Sequence, residues 1–362
     1  MGSQLLFCFI FSLLSIFSTI SESALVPAIY VFGDSLVDVG NNNHLKLSIA
    51  KANFPHNGID FPTKKPTGRF SNGKNAADYI AEKVGLPTSP PYLSLISKFR
   101  KVINTKPFKT GVSFASGGAG IFNETNNLFK QSVAIDQQIE YYSLVYQNLV
   151  VELGLSAAEA HLSKSLFTVV IGSNDIFGYH ESSDLRKKYS PQQYVESMAS
   201  TLKSQLKRLY GYGARKYVVT GIGLVGCTPS QRKRSKTGEC DVEVNSWAAQ
   251  YNVALKSMLQ TLKMELNNNI SFSYFEVYAI MSDFVRSPSS YGFTEIRSAC
   301  CGHGHLNADL PCLPIAAFCS NRNSHLFWDL YHPTQEASRM LADYIFNGPF
   351  TYPINVNQLI AL

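Results

Sequence analysis

Short β-branched or aromatic runs alternate with longer helix-patterned segments along the whole chain, with no low-complexity linker and no repeat. These observations predict one α/β domain, a three-layer α/β/α sandwich around a central, mostly parallel five-stranded sheet. The predicted strands are Ala28–Phe32, Gly111–Ala115, Leu166–Ile171, Lys216–Thr220 and Ser271–Glu276. Between them the predicted helices are Asn75–Val84, Ala134–Val150, Gln192–Tyr210 and Ser246–Leu266. Ser156-Ala-Ala-Glu159 has the form of a capping box, and Pro191 suits the first turn of its helix. Gly211 and Gly213 stop that helix, and Thr334–Phe346 is a final helix closed by Gly348 and Pro349.

Composition narrows the class. The 362 residues are 45% hydrophobic and only 16% charged, against about 25% charged in an average soluble domain. That balance excludes a disordered polyelectrolyte and a long coiled coil. A net charge of +6 over this length does not argue for a nucleic-acid partner.

The N-terminus and the cysteines point to export. Leu5–Ile20 is an apolar run too short for a bilayer span but suited to a signal-peptide core, and Ser21, Glu22, Ser23 and Ala24 follow it. Residues 1–23 are therefore read as a signal peptide and 24–362 as one domain. No Lys or Arg precedes the run and no clean A-x-A site follows it, so an uncleaved anchor is the competing reading. No later segment is long and apolar enough to span a membrane. Of seven cysteines, Cys8 lies in that leader, which leaves Cys227, Cys240, Cys300, Cys301, Cys312 and Cys319 for disulfides. Cys227 and Cys240 are expected to pair, and adjacent Cys300 and Cys301 to have different partners. Asn123 and Asn269 open N-x-Ser/Thr acceptor triplets for glycosylation.

Function in a parallel sheet sits at the carboxyl ends of strands. Gly33-Asp34-Ser35-Leu36 directly follows the first predicted strand, where a serine can present its hydroxyl while its N–H faces an oxyanion. Taken alone this is a helix cap. Near the C-terminus, Asp329 and His332 are three residues apart, a spacing that can bring a carboxylate to an imidazole and make an oriented base. Phe114-Ala-Ser-Gly-Gly-Ala-Gly120 and Ile171-Gly-Ser-Asn-Asp175 each follow a predicted strand. They offer backbone N–H groups and an Asn amide to a developing negative charge.

With these blocks together, the chain resembles the plant-type secreted GDSL esterases/lipases of the SGNH hydrolase superfamily. The likeness runs from about Ala28 to Phe346. It includes Phe32-Gly-Asp-Ser-Leu-Val-Asp38, Gly40-Asn-Asn-Asn43, Thr67-Gly-Arg-Phe-Ser-Asn-Gly73, Gly172-Ser-Asn-Asp175, Ala299-Cys-Cys-Gly302 and Phe327-Trp-Asp-Leu-Tyr-His-Pro-Thr334. The resemblance implies a flavodoxin-like fold and a serine esterase without metal or nucleotide cofactor. It implies Ser35 as nucleophile, His332 as base and acid, and Asp329 as the carboxylate that orients it. The Ser35 N–H, Gly117 and Asn174 would form the oxyanion hole. The expected substrate is a small-molecule, lipid or polymer ester, and the expected location is extracellular, in the cell wall or apoplast. An acyltransferase would use the same residues; a silent secreted binding protein is the reading from another class. The resemblance implies no nucleic-acid partner and leaves the oligomeric state open.

Three other patterns compete for attention. Gly221-Ile-Gly-Leu-Val-Gly226 has dinucleotide-fingerprint form, but Cys227, Thr228 and Pro229 stand where a helix should begin, so a loop over the sheet is expected. Arg232-Lys-Arg-Ser-Lys236 reads as a solvated basic loop. The cluster of Cys300, Cys301, His303, His305, Cys312 and Cys319 reads as disulfides rather than a zinc site.

Overall fold

The computed structural model describes residues 24–96, 105–125 and 131–362. The predicted signal peptide, with Cys8, lies outside the described residues. In chain order the main elements are β1 (Ile29–Gly33), α1 (Ala76–Lys83), α2 (Ile135–Leu153), α3 (Leu155–Lys164), β2 (Leu166–Val170), α4 (Ser173–Glu181) and α5 (Pro191–Gly211). They continue with β3 (Lys216–Thr220), α6 (Val242–Glu265), β4 (Ser271–Phe275), α7 (Val277–Arg286), α8 (Gln335–Asn347), β5 (Thr351–Pro353) and α9 (Val356–Ile360).

The sheet order is β1-β2-β3-β4-β5, with the first four strands parallel and β5 antiparallel to β4. Alternation along each strand feeds two cores. Tyr30 and Phe32 of β1 join the side chains of α2, α3, α5 and α6, whereas Ile29 and Val31 face those of α1, α7, α8 and α9. Burial on both faces explains why the parallel strands read as continuous apolar runs. Among the described residues, no helix is long and apolar enough to cross a membrane.

Two sequence expectations change. Gly111–Ala115 is not the fifth full strand; it runs beside β1 as a hydrogen-bonded edge, with Val31 N–H on Val112 O at 3.0 Å and Phe114 N–H on Val31 O at 2.7 Å. Its pairing is interrupted because Ser113 is shared with Pro91 across a second bridge. The fifth strand is the short β5, which carries a proline and gave no strand pattern. Likewise Ser156 does not cap a helix: Gly154, at φ 82°, joins α2 directly to α3, which begins at Leu155.

The edge segment places the chain on one side of β1 and β2 places it on the other. That divergence makes a crevice at the carboxyl end of β1, where open parallel sheets bind ligands.

Candidate active site

Gly33 ends β1 at φ 153°, and a Cβ there would meet Val170 O at 2.2 Å. Glycine therefore lets the chain turn against β2. The buried Gln138 amide fixes this turn, accepting from Gly33 N–H at 2.9 Å and donating to Gly33 O at 2.8 Å. Ser35 follows in a tight turn, with Asp34 Oδ1 accepting the Leu36 N–H at 3.0 Å.

His332 Nε2 lies 2.7 Å from Ser35 Oγ. Its Nδ1 lies 2.8 Å from both oxygens of Asp329, and Asp329 Oδ1 also accepts the backbone N–H groups of Tyr331 at 2.9 Å and His332 at 2.9 Å. An ionised carboxylate only accepts, so Nδ1 carries the imidazole proton and Nε2 is left to accept from the serine hydroxyl. Both residues are buried, at 9% and 8% exposure for Asp329 and His332, which shields the pair from water.

Neighbouring segments hold this arrangement. Phe70 packs on the His332 ring with centroids 5.0 Å apart. Asn72 Oδ1 accepts the Gln335 N–H at 2.8 Å, and Gln335 Oε1 accepts the Lys74 N–H at 2.8 Å, so residues 70–74 clasp the start of α8. Arg69 makes a two-pronged ion pair with Asp78 of α1, 2.7 Å on each side. On the other flank, the Cys300 and Cys301 N–H groups donate to Phe327 O and Trp328 O at 3.0 and 2.7 Å. Disulfides Cys300–Cys319 and Cys301–Cys312 anchor that loop, and Cys227 pairs with Cys240.

The glycine loop departs from expectation by one residue. Gly117 N–H does not face the site; it donates to buried Asp38 Oδ2 at 3.0 Å, while Gly117 O accepts from Asn42 Nδ2 at 2.8 Å. Gly118 lines the cavity beside Ser35 instead, at φ 83°. Its N–H has no partner among the described residues. The turn sets which of the two adjacent glycines lines the cavity, and residue types alone do not show it. Asn174, in the first turn of α4, also lines the cavity, with Nδ2 donating to Ala119 O at 2.8 Å and one N–H left over.

Two supporting carboxylates carry no sequence signal of their role. Asp38 Oδ1 accepts from Gly40 N–H at 2.7 Å and Asn41 N–H at 2.8 Å. Asp175 takes the Ile121 and Phe122 N–H groups at 2.9 and 3.2 Å and the Thr125 hydroxyl at 2.7 Å. The one fastens the Gly117-Gly118 turn to the Ser35 loop; the other fastens that loop's far end to α4. Burial pushes both carboxyls up to about 6, against the hydrogen bonds they accept. Asp34 is pushed up to about 7 by burial, only partly offset by the Leu36 N–H and His332, and its Oδ2 has no partner.

A cavity of about 610 Å3 opens over Ser35 and His332. The Gly221–Gly226 loop forms part of its wall: Asn252 brackets Ile222 with two 2.7 Å hydrogen bonds, and Asn245 Oδ1 accepts the Gly226 N–H at 2.8 Å. In the basic run, Arg232 is buried rather than solvated, donating to Cys227 O at 2.9 Å and Gly238 O at 3.0 Å. Among the described residues, no group of three or more His, Cys, Asp or Glu side chains could hold a metal ion. Asn123 and Asn269 are both exposed.

Comparison with known proteins places this site in a family. The GDSL-like Lipase/Acylhydrolase family matches residues 29–345. The chain belongs to that family. An Arabidopsis thaliana GDSL esterase/lipase is 52% identical over 342 residues, 93% of this chain and 91% of its own. A second from the same plant is 38% identical over 330 residues, 91% of this chain and 90% of its own. Among solved structures, a variant of an acetyl-xylooligosaccharide esterase from Geobacillus covers 88% of this chain and 92% of its own, at 12% identity and a TM-score of 0.36. That likeness is too low to bear on substrate. Membership of the GDSL family makes the protein a carboxylic ester hydrolase.

Proposed function

We propose that this protein is a secreted serine esterase working through an acyl-enzyme. The 2.7 Å approach of His332 Nε2 to Ser35 Oγ, with Asp329 behind the imidazole, carries the reading. Ser35 Oγ attacks the ester carbonyl as its proton passes to His332 Nε2. The C–O bond to the alcohol then breaks, and His332 returns the proton to the departing oxygen. Water enters, gives its proton to His332, and attacks the acyl carbon; the carboxylic acid leaves and Ser35 regains its proton. Asp329 holds the tautomer and balances the imidazolium charge. The Ser35 N–H, the Gly118 N–H and Asn174 Nδ2 serve the oxyanion, with Gly118 in place of Gly117.

Three disulfides and the apolar Leu5–Ile20 run support secretion through an oxidising compartment to the cell wall or apoplast. Exposed Asn123 and Asn269 are the proposed glycan acceptors. The deciding experiment compares wild type with Ser35→Ala on 4-nitrophenyl esters. Turnover in the wild type alone is expected; equal rates would remove Ser35 from the mechanism.

A further inference from the structure

The Gly40-Asn-Asn-Asn43 block has no part in the mechanism above, yet each of its asparagines clamps a different stretch of backbone. Asn41 Nδ2 donates to Ser113 O at 2.8 Å and Ala115 O at 2.9 Å, and Asn43 Nδ2 donates to Thr67 O at 3.0 Å. Asn42, buried at 1% exposure, reaches the glycine turn beside Ser35. Its Nδ2 donates to Gly117 O at 2.8 Å and to Ala50 O at 2.8 Å. Carbonyl oxygens only accept, so the amide nitrogen must face them. Asn42 Oδ1 accepts the Ser116 hydroxyl, whose oxygen accepts the Val133 N–H at 2.9 Å. A Cβ on Gly117 would stand 2.8 Å from Asn42 Nδ2, so glycine permits this close approach.

Gly117 O belongs to the peptide unit that carries the Gly118 N–H. That unit is trans, and a trans peptide is planar with its C=O and N–H on opposite sides. Holding the carbonyl at Asn42 therefore turns the Gly118 N–H away from Asn42, and Gly118 lines the cavity beside Ser35. Asp38 holds the preceding peptide through the Gly117 N–H at 3.0 Å. Both peptide units that meet at Gly117 are thus fixed. A carbonyl that accepts a hydrogen bond also polarises its own N–H toward stronger donation.

Resting on the reading of the Gly118 N–H as an oxyanion donor, we propose that Asn42 is a positioning residue for ester hydrolysis: by holding Gly117 O it aims the Gly118 N–H at the oxyanion formed when Ser35 attacks. A donor fixed in advance costs no reorganisation as the charge develops. Substrate in its ground state carries no such charge, so the contribution falls on kcat more than on KM.

Gly117–Gly118 is the only Gly-Gly bond in the chain. Protein labelled with glycine carrying heavy isotopes at nitrogen and at the carbonyl carbon therefore gives one carbonyl-correlated amide signal, that of the Gly118 N–H. The probe is trifluoroacetophenone. Ser35 Oγ bonds to its carbonyl carbon, the C=O π pair becomes the oxyanion, and the serine proton passes to His332 Nε2. In the wild type the Gly118 signal should move downfield as the adduct forms. A signal that stays in place removes Gly118 from the oxyanion hole and the proposal with it.

The same measurement on Asn42→Ala, with the adduct confirmed by fluorine NMR, should show that movement largely lost. Movement equal to the wild type overturns the role of Asn42 while leaving Gly118 in place, so the two failures are distinguishable. On 4-nitrophenyl acetate, Asn42→Ala should lower kcat by about tenfold or more, short of the cost of removing a donor outright, with a smaller change in KM. An unchanged kcat, or a loss confined to KM, overturns the proposal. Asn42→Leu, which keeps the buried volume and lacks the donor, is read in the same way and serves where the alanine variant does not fold.

Discussion

Asp329 Oδ1 meets His332 twice, accepting its backbone N–H at 2.9 Å and lying 2.8 Å from Nδ1 of its ring. One carboxylate thus fixes both where the histidine sits and which nitrogen carries its proton. Asp329→Asn can keep the geometry yet presents an amide that favours the wrong tautomer. A fall in kcat of about 10⁴-fold is expected, with a circular dichroism spectrum like the wild type; steady-state kinetics on a 4-nitrophenyl ester checks it.

The oxyanion side has its own test. Asn174→Ala removes one donor and should reduce kcat by about 10²- to 10³-fold with a smaller change in KM. Asp38→Ala acts at one remove, leaving the buried Gly117 N–H without its acceptor. Its expected cost is about 1–3 kcal/mol in urea denaturation, together with a lower kcat as the Gly118 turn loosens.

How much of this was legible in the sequence follows from how local each signal is. Ser35 directly follows a strand, and Asp329 and His332 are three residues apart, so neighbours along the chain carried that information. Gly117 and Gly118 are adjacent and alike in type, so only the turn distinguishes the one bonded to Asp38 from the one lining the cavity. Asp38 and Asp175 carry no comparable signal, because the loop they fasten, at Gly117 for one and at Ile121 and Phe122 for the other, lies far away in sequence. The four parallel strands were read from long buried runs, while β5 is three residues ending in proline. Helix α4 begins within the Gly172-Ser-Asn-Asp175 block and runs on to Glu181.

The Arg69–Asp78 pair lies in the interior, with side-chain exposures of 7% and 1%. Arg69→Leu strands the Asp78 carboxylate without its cation. A loss of about 3–5 kcal/mol is expected, visible as a lower urea midpoint. The ion pair links residues 67–74 to α1, so His332 should also lose its Phe70 support.

Reduction should weaken the protein at the site itself. Each disulfide closes a loop of 11 to 19 residues, which corresponds to roughly 3 kcal/mol. Because Cys300 and Cys301 hold the strand leading into Asp329, dithiothreitol is expected to lower the thermal midpoint and abolish turnover together.

Acidity should stabilise this chain over a defined window. Asp34, at about 7, and Asp38 and Asp175, at about 6, bind their protons more tightly folded than unfolded because burial penalises their charge. Their contribution is full below the ordinary carboxylate pKa of about 4 and is lost as pH rises toward 7. Asp60 runs the other way: hydrogen bonds from Arg322 and Asn72 outweigh its burial, so its contribution is lost only in stronger acid. Calorimetry should therefore show a thermal midpoint higher near pH 5 than near pH 8. Asp34→Asn, which does not titrate, should flatten that slope.

Ser35 and His332 stand 297 positions apart along the chain, and α8, which follows His332, packs against α1 near the other end. During synthesis the serine turn leaves the ribosome long before its partner has been translated. A chain that ends before Asp329 and His332 therefore has neither the imidazole nor its carboxylate beside the Ser35 hydroxyl. On the serine esterase reading, hydrolytic competence arrives only with the last tenth of translation.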